Sequence, residues 1–183
     1  MGLSAIPDGC DRFLGMQGMH GHYASSMAQN EADLIIGVGV RFSDRATGNT
    51  AKYVKNTQFI QLDVDISELG KNIGIDVGVH GDLKDSLKRI CDLSEKNDGP
   101  QWKDTVENLI SDEKAIAKQA GEKAEAKLTP KQVMDIINEI KLDSTVVATD
   151  VGQHQMWAAQ YLKFKNNRTF ASSGGLGTMG FGL

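Results

Sequence analysis

Apolar residues along this chain gather in short runs separated by stretches of helical period. The run DLIIGVGV at 33–40 is almost wholly apolar, the pattern of a parallel strand buried on both faces. TQFIQLDVD at 57–65 alternates and then closes on two acids, and IDVGVHGD at 75–82 is a shorter strand of the same kind. The segment 21–31 predicts a short helix, and 82–93 predicts another, with Leu83, Leu87, Ile90 and Cys91 at helical spacing. Residues 1–18 read as loop, with a turn at Pro7, Asp8 and Gly9.

The pattern breaks at 94–127, which is charged, rich in Ala, Lys and Glu, and too poor in apolar residues for a core. Gly99 and Pro100 mark a break, and 101–127 predicts a solvated helical connector. A new unit opens at 128–142. Thr129 is a good N-cap, Pro130 suits the first helical position and Gln132 completes a capping box. Val133, Ile136, Ile137 and Ile140 form one expected apolar stripe. Strand 144–150, helix 152–162 and strand 168–173 follow, and then a glycine-rich end. Strands alternating with helices predict an α/β protein with parallel sheets, divided at the connector. Half a parallel sheet is expected to leave an edge and an apolar face uncovered.

Composition narrows the function classes. The 183 residues are 40% hydrophobic and 24% charged, as in globular proteins, and the net charge of -4 argues against nucleic acid as a partner. Cys10 and Cys91 form neither a metal spacing nor a disulfide framework, so a reducing, cytoplasmic setting is expected. No apolar run approaches a membrane span, and MGLSAIPDG lacks the basic and apolar parts of a signal peptide.

Candidate chemistry lies at the ends of the expected strands. In TDVGQHQMWAAQ at 149–160 a strand ends at Asp150 and Gly152 opens a helix. Turns at the carboxyl ends of parallel strands hold ligands. There Gly152 lets the backbone approach a phosphate, and Gln153 and His154 can donate hydrogen bonds to it. A plain strand-to-helix turn is the bland alternative. ASSGGLGTMGFGL at 171–183 follows the next strand, so the two turns share one edge of the sheet and can clamp a diphosphate between them. In the first half, GVGVRFSDRATGN at 37–49 ends a strand with Gly-x-Gly, then Arg41 and Arg45, but lacks the third glycine of a dinucleotide fingerprint. The arginines can meet a phosphate or serve as surface charge, Arg45 beside Asp44. Asp63 and Asp65 can bind ribose hydroxyls or simply end a solvated strand. His20 and His22 in GMQGMHGHY are too isolated for a metal site. No serine-hydrolase elbow, CxxC pair or Walker loop is present.

VGQHQMWAAQ followed by SSGGLGTMGFGL resembles the thiamine-diphosphate region of acetohydroxyacid synthase (acetolactate synthase) catalytic subunits. GMHGHYA, GVRFSDRATGN and QLDVDISELGKN resemble the central domain of the same family, in the same order. The resemblance implies parts of two parallel-sheet, three-layer domains. Residues 1–98 would be the later part of a Rossmann-like, FAD-binding central domain, 99–127 the connector, and 128–183 the truncated opening of the thiamine-diphosphate domain. It implies that Val151, Gly152, Gln153 and His154 line the diphosphate, and that Gly177 and Met179 approach the cofactor. Gly18, Met19 and His20 would lie along the flavin, and Gly39, Arg41, Arg45, Asp63, Val64 and Asp82 would contact FAD. Many members carry two acids after Arg-Phe, whereas here the first is Ser43.

By the same resemblance, the parent enzyme decarboxylates pyruvate and condenses it with a second 2-keto acid, pyruvate or 2-ketobutyrate, in branched-chain amino-acid synthesis. Cofactors would be thiamine diphosphate, FAD and Mg²⁺, the last held by residues outside this chain, as is the activating glutamate. Met1 would then be an internal methionine, the glycine-rich end a cofactor loop cut from its helix, and the isolated chain inactive. A homo-oligomer and a regulatory subunit are implied partners. Another thiamine-diphosphate decarboxylase or carboligase, and a non-catalytic nucleotide-binding module, are the competing readings.

Overall fold

Two separate parallel sheets organise the computed structural model, which describes residues 2–10, 12–95, 99–122 and 128–183. The first joins β1 (Leu34–Val38), β2 (Gln58–Asp63) and β3 (Val77–His80) in that spatial order. Leu34 lies beside Gln58 and Ile60 beside Val77. The second pairs β4 (Val147–Thr149) with β5 (Phe170–Ser172), Thr149 beside Ser172. The α/β class expected from the alternating pattern is therefore observed. The helices are α1 (Tyr23–Glu31), α2 (Asp44–Thr47), α3 (Leu83–Leu93), α4 (Pro100–Glu122), α5 (Pro130–Ile140) and α6 (Gln153–Tyr161). Two compact units result: Ser26–Ile110, and Met1–Ser25 together with Ser111–Leu183.

In the unit Ser26–Ile110, Phe42, Val54 and Phe59 form the buried cluster, flanked by Ile35, Val40, Tyr53, Ile73 and Ile75. Phe42 meets Phe59 edge-on at 6.0 Å between ring centres, a favoured aromatic geometry. That ring explains Gly37 in mid-strand, since a Cβ there would sit 2.7 Å from Phe42 Cζ. Gly39, two residues on, has φ +61 and turns the chain out of β1. Beneath the turn lies Gln61, only 1% exposed. Its amide nitrogen donates to the carbonyls of Val40 (2.9 Å) and Glu68 (3.1 Å), and its oxygen accepts from Gly70 N–H (2.9 Å). One buried side chain thus ties the loops after β1 and β2. The other face of the sheet leaves Leu34, Ile36, Val38 and Val77 exposed, an uncovered apolar surface.

In the other unit, Leu3, Ala158, Ala159, Leu162 and Phe164 form the core, with Phe13, Met16, Met134, Ile137, Val147 and Phe170 against it. The N-terminal loop is anchored there. Asp8 N–H donates to Phe164 O at 2.8 Å, and Phe164 N–H donates to the Asp8 carboxylate. Helix α5 starts with the expected capping box of Thr129 and Gln132, with Pro130 in the first turn.

Two sequence expectations need correction. The α5 stripe is split: Ile137 and Met134 face the core, whereas Val133, Ile136 and Ile140 are exposed, Ile140 by 74%. A helix with apolar residues on adjacent rows can bury only the row its neighbour α6 reaches. The connector is not uniformly solvated either. It forms α4, Leu109 is buried, and Glu113 reaches back along the chain. Glu113 accepts from Ala24 N–H and pairs with His22 Nδ1, both at 2.8 Å, so it caps the start of α1 from a distant helix. Residues 123–127 of the expected connector lie outside the described residues.

Replacing Gln61 with Leu keeps the volume but strips three backbone groups of their partner and leaves none of their bonds to the buried amide. Unsatisfied groups cost about 1–3 kcal/mol each, so Gln61→Leu is expected to lower stability by at least about 2 kcal/mol. Denaturant unfolding checks this, and a change below about 0.5 kcal/mol would contradict the clamp.

Candidate functional site

Parallel pairing of β4 and β5 sets the first region. With Thr149 beside Ser172, the turns that follow both strands leave from the same edge. Gly152, at φ +156, opens α6, and no side chain caps that end. The N–H groups of the first turn and the helix dipole there favour an anion. Gln153 and His154 are exposed at this end, and the His154 ring covers Gly152 so closely that a Cβ would lie 3.0 Å from its Nδ1.

The glycine-rich end folds back onto the same edge. Thr178 N–H donates to Ser173 Oγ at 3.0 Å, and Gly180 N–H donates to Asp150 Oδ1 at 2.8 Å. At Gly182 a Cβ would fall 2.9 Å from Asp150 N, so only glycine allows this approach. The Gly180 N–H holds the Asp150 carboxyl below its ordinary value. N–H groups of Val151 and Phe181 and the nearby His154 act in the same direction, and desolvation opposes them. Gly177 and Met179 lie exposed on this returning segment.

Gly18, Met19 and His20 form a single 3₁₀ turn in this same unit, not in the unit of the other flavin-side candidates. The turn is tied to α6 by Gln160, whose amide donates to Gly21 O at 2.9 Å, and by Gln155. Gln155 is 4% exposed and bonds to both His20 and Ser172. Sequence reading passed over Gln155 in favour of its exposed neighbours. Its one signal was a polar residue on the side of α6 that carries Ala158 and Ala159.

The second region is the carboxyl edge of the three-stranded sheet. Gly39 and Arg41 follow β1, Val64 follows β2 and Asp82 follows β3, so three adjacent strand ends bring them together. Asn72 pins the Arg41 carbonyl at 2.7 Å. Asp63 is buried and accepts from Asp65 N–H at 2.9 Å, and Asp82 caps α3 by accepting from Asp85 N–H at 3.0 Å. Arg45 stands apart on α2, exposed and paired with Asp44 at 3.3 Å. Asp65 is held below its ordinary value by the Ser67 hydroxyl and N–H.

The α6 end fits a diphosphate: an uncapped helix N-terminus, a glycine at the approach, and amide and imidazole donors beside it. Among the described residues no group of three or more His, Cys, Asp or Glu can hold a metal ion.

A model for the thiamine pyrophosphate enzyme central domain matches residues 1–90, and one for the thiamine pyrophosphate enzyme C-terminal TPP binding domain matches 150–183. The chain belongs to the thiamine pyrophosphate enzymes. Within them it is similar along its whole length to acetolactate synthase large subunits. It is 41% identical to that of Lactococcus lactis, covering 100% of this chain and 31% of the relative. It is 38% identical to the isozyme 3 large subunit of Escherichia coli, covering 100% and 32%. It is 34% identical to acetolactate synthase 1, chloroplastic, of Nicotiana tabacum, covering 100% and 28%. The chain thus spans about a third of the length of the curated relatives it matches.

The lowered Asp150 value has a sign. The bond from Gly180 is fully present above the ordinary carboxylate value and is lost as pH falls through the lowered one. The Gly180 amide resonance is expected to titrate with a midpoint below 3.8 and to lose that titration in Asp150→Asn. A midpoint at or above that value would contradict the contact.

Proposed function

We propose that this chain is a segment of an acetolactate synthase large subunit. The whole protein decarboxylates pyruvate and condenses it with a second 2-keto acid, giving 2-acetolactate or 2-aceto-2-hydroxybutyrate for branched-chain amino-acid synthesis. The observation that carries this reading is the shared edge of the turns after β4 and β5, inside a chain similar to acetolactate synthases along its full length.

In this reading Val151, Gly152, Gln153 and His154 bind the diphosphate at the start of α6. Gly177 and Met179 lie on the returning segment beside it. Thiamine diphosphate supplies the nucleophilic carbon and the electron sink, and the chain supplies orientation and electrostatics. Mg²⁺ would be held by ligands outside this chain. FAD would lie along Gly18, Met19 and His20 and along Gly39, Arg41, Arg45, Asp63, Val64 and Asp82. The strand ends gathered at one sheet edge and the exposed Arg41 support it. Arg45 would have to exchange Asp44 for a phosphate, and Ser43 removes one acid from that side.

Residues 1–98 belong, in this proposal, to the central domain, 99–127 to the connector and 128–183 to the thiamine-diphosphate domain. The matches at 1–90 and 150–183 support that division. Among the described residues no helix is long and apolar enough to cross a membrane. A cytoplasmic homo-oligomer with a regulatory subunit completes the proposal, supported by the large-subunit names of the relatives.

Full-length protein carrying this segment is expected to form acetolactate from pyruvate only with thiamine diphosphate and Mg²⁺ present. The 183-residue chain alone is expected to form none. A panel of 2-keto acids on the full-length protein decides between this carboligase and its relatives. Acetolactate from the pure chain would overturn the claim of inactivity, and decarboxylation without condensation would overturn the synthase reading.

A further inference from the structure

Gln155 occupies an unusual place. It sits in the first turn of α6 yet is turned inward, 4% exposed, between two elements far apart in sequence. Its Oε1 lies 3.1 Å from His20 Nε2. Its Nε2 donates to Ser172 Oγ, which also accepts from the Thr149 hydroxyl at 3.2 Å. Ser172 and Thr149 are the last residues of β5 and β4, side by side in register. A continuous line of polar contacts therefore runs from the His20 turn to the strand ends that launch both proposed diphosphate turns.

The chemistry of that line is directional. An amide oxygen only accepts, so with Gln155 Oε1 on Nε2 the His20 ring carries its proton there. That leaves Nδ1 as the acceptor nitrogen of the ring. A buried amide satisfied at both ends also leaves little freedom, because an unpaired buried group costs about 1–3 kcal/mol. Any shift of the Gly18–His20 turn must therefore be met by the strand ends, and the reverse.

We infer that Gln155 is a positioning residue. It fixes His20 as the Nε2–H tautomer and, through Ser172 and Thr149, couples the flavin-side turn to the diphosphate-side turns. The coupling part rests on the cofactor reading above, whereas the tautomer part does not. In the full-length protein, FAD is then expected to tighten thiamine diphosphate binding, and thiamine diphosphate to tighten FAD by the same factor, about fivefold or more.

Two measurements test this with Gln155→Leu and Gln155→Glu. The first is ¹⁵N NMR of histidine-labelled full-length protein without cofactors, with the His20 signal identified by its loss in His20→Gln. A ring protonated on Nε2 is expected in the wild type and in Gln155→Glu, which keeps an acceptor toward His20 and another toward the Ser172 hydroxyl. Loss of that single tautomer is expected in Gln155→Leu. A wild-type ring protonated on Nδ1 would overturn the inference whatever the protein binds. The second titrates thiamine diphosphate with and without saturating FAD. The mutual tightening is expected to fall below about twofold in Gln155→Leu and to be kept in Gln155→Glu. Equal coupling in wild type and Gln155→Leu would overturn the positioning role. Failure of the wild type to bind either cofactor would overturn the coupling together with the cofactor reading, while the tautomer result stands by itself.

Discussion

The candidate sites depend on parallel pairing. Parallel strands all point one way, so the turns that leave them share an edge. In the smaller sheet this brings the Gly152 turn beside the glycine-rich end, although more than twenty residues separate them. In the larger sheet it lines up the residues after β1, β2 and β3. Antiparallel pairing in either sheet would send these residues to opposite edges and leave no site.

Each sheet adds a buried glutamine that holds its edge in place. Gln61 fastens the loops after β1 and β2 from beneath, and Gln155 fastens the His20 turn to the ends of β4 and β5. An amide suits this task because it offers a donor and an acceptor without charge, so burial costs little once both are met. The exposed residues that would touch ligand, such as Gln153, His154 and Arg41, are left free of such structural work. The glycines serve a complementary end. Gly37 makes room for the Phe42 ring, and Gly182 lets the terminal segment lie on Asp150.

Much of the framework was legible in the residues. All five strands were expected from the residues, and the capping box at Thr129 was readable to the residue. The turn after β4 was readable because glycine and amides follow a strand-ending acid. What escaped were contacts between distant positions. Glu113 looked like one more charge on a solvated helix, and nothing local says that it caps α1. The row of α5 that becomes core depends on where α6 lies, which periodicity does not encode. Gln61 and Gln155 stood in apolar company, a sign that reads as polarity out of place until the partners are seen. The contacts of the Gly18–His20 turn are equally remote from its own stretch of sequence. The folded chain packs that turn on α6, through contacts that span more than a hundred residues.

The central claim is that the start of α6 is a diphosphate site. A crystal structure of the full-length protein with thiamine diphosphate and Mg²⁺ tests it most directly. The account predicts diphosphate oxygens within hydrogen-bond distance of the α6 first-turn N–H groups and of Gln153 or His154. A cofactor bound with its diphosphate away from Gly152 would contradict it.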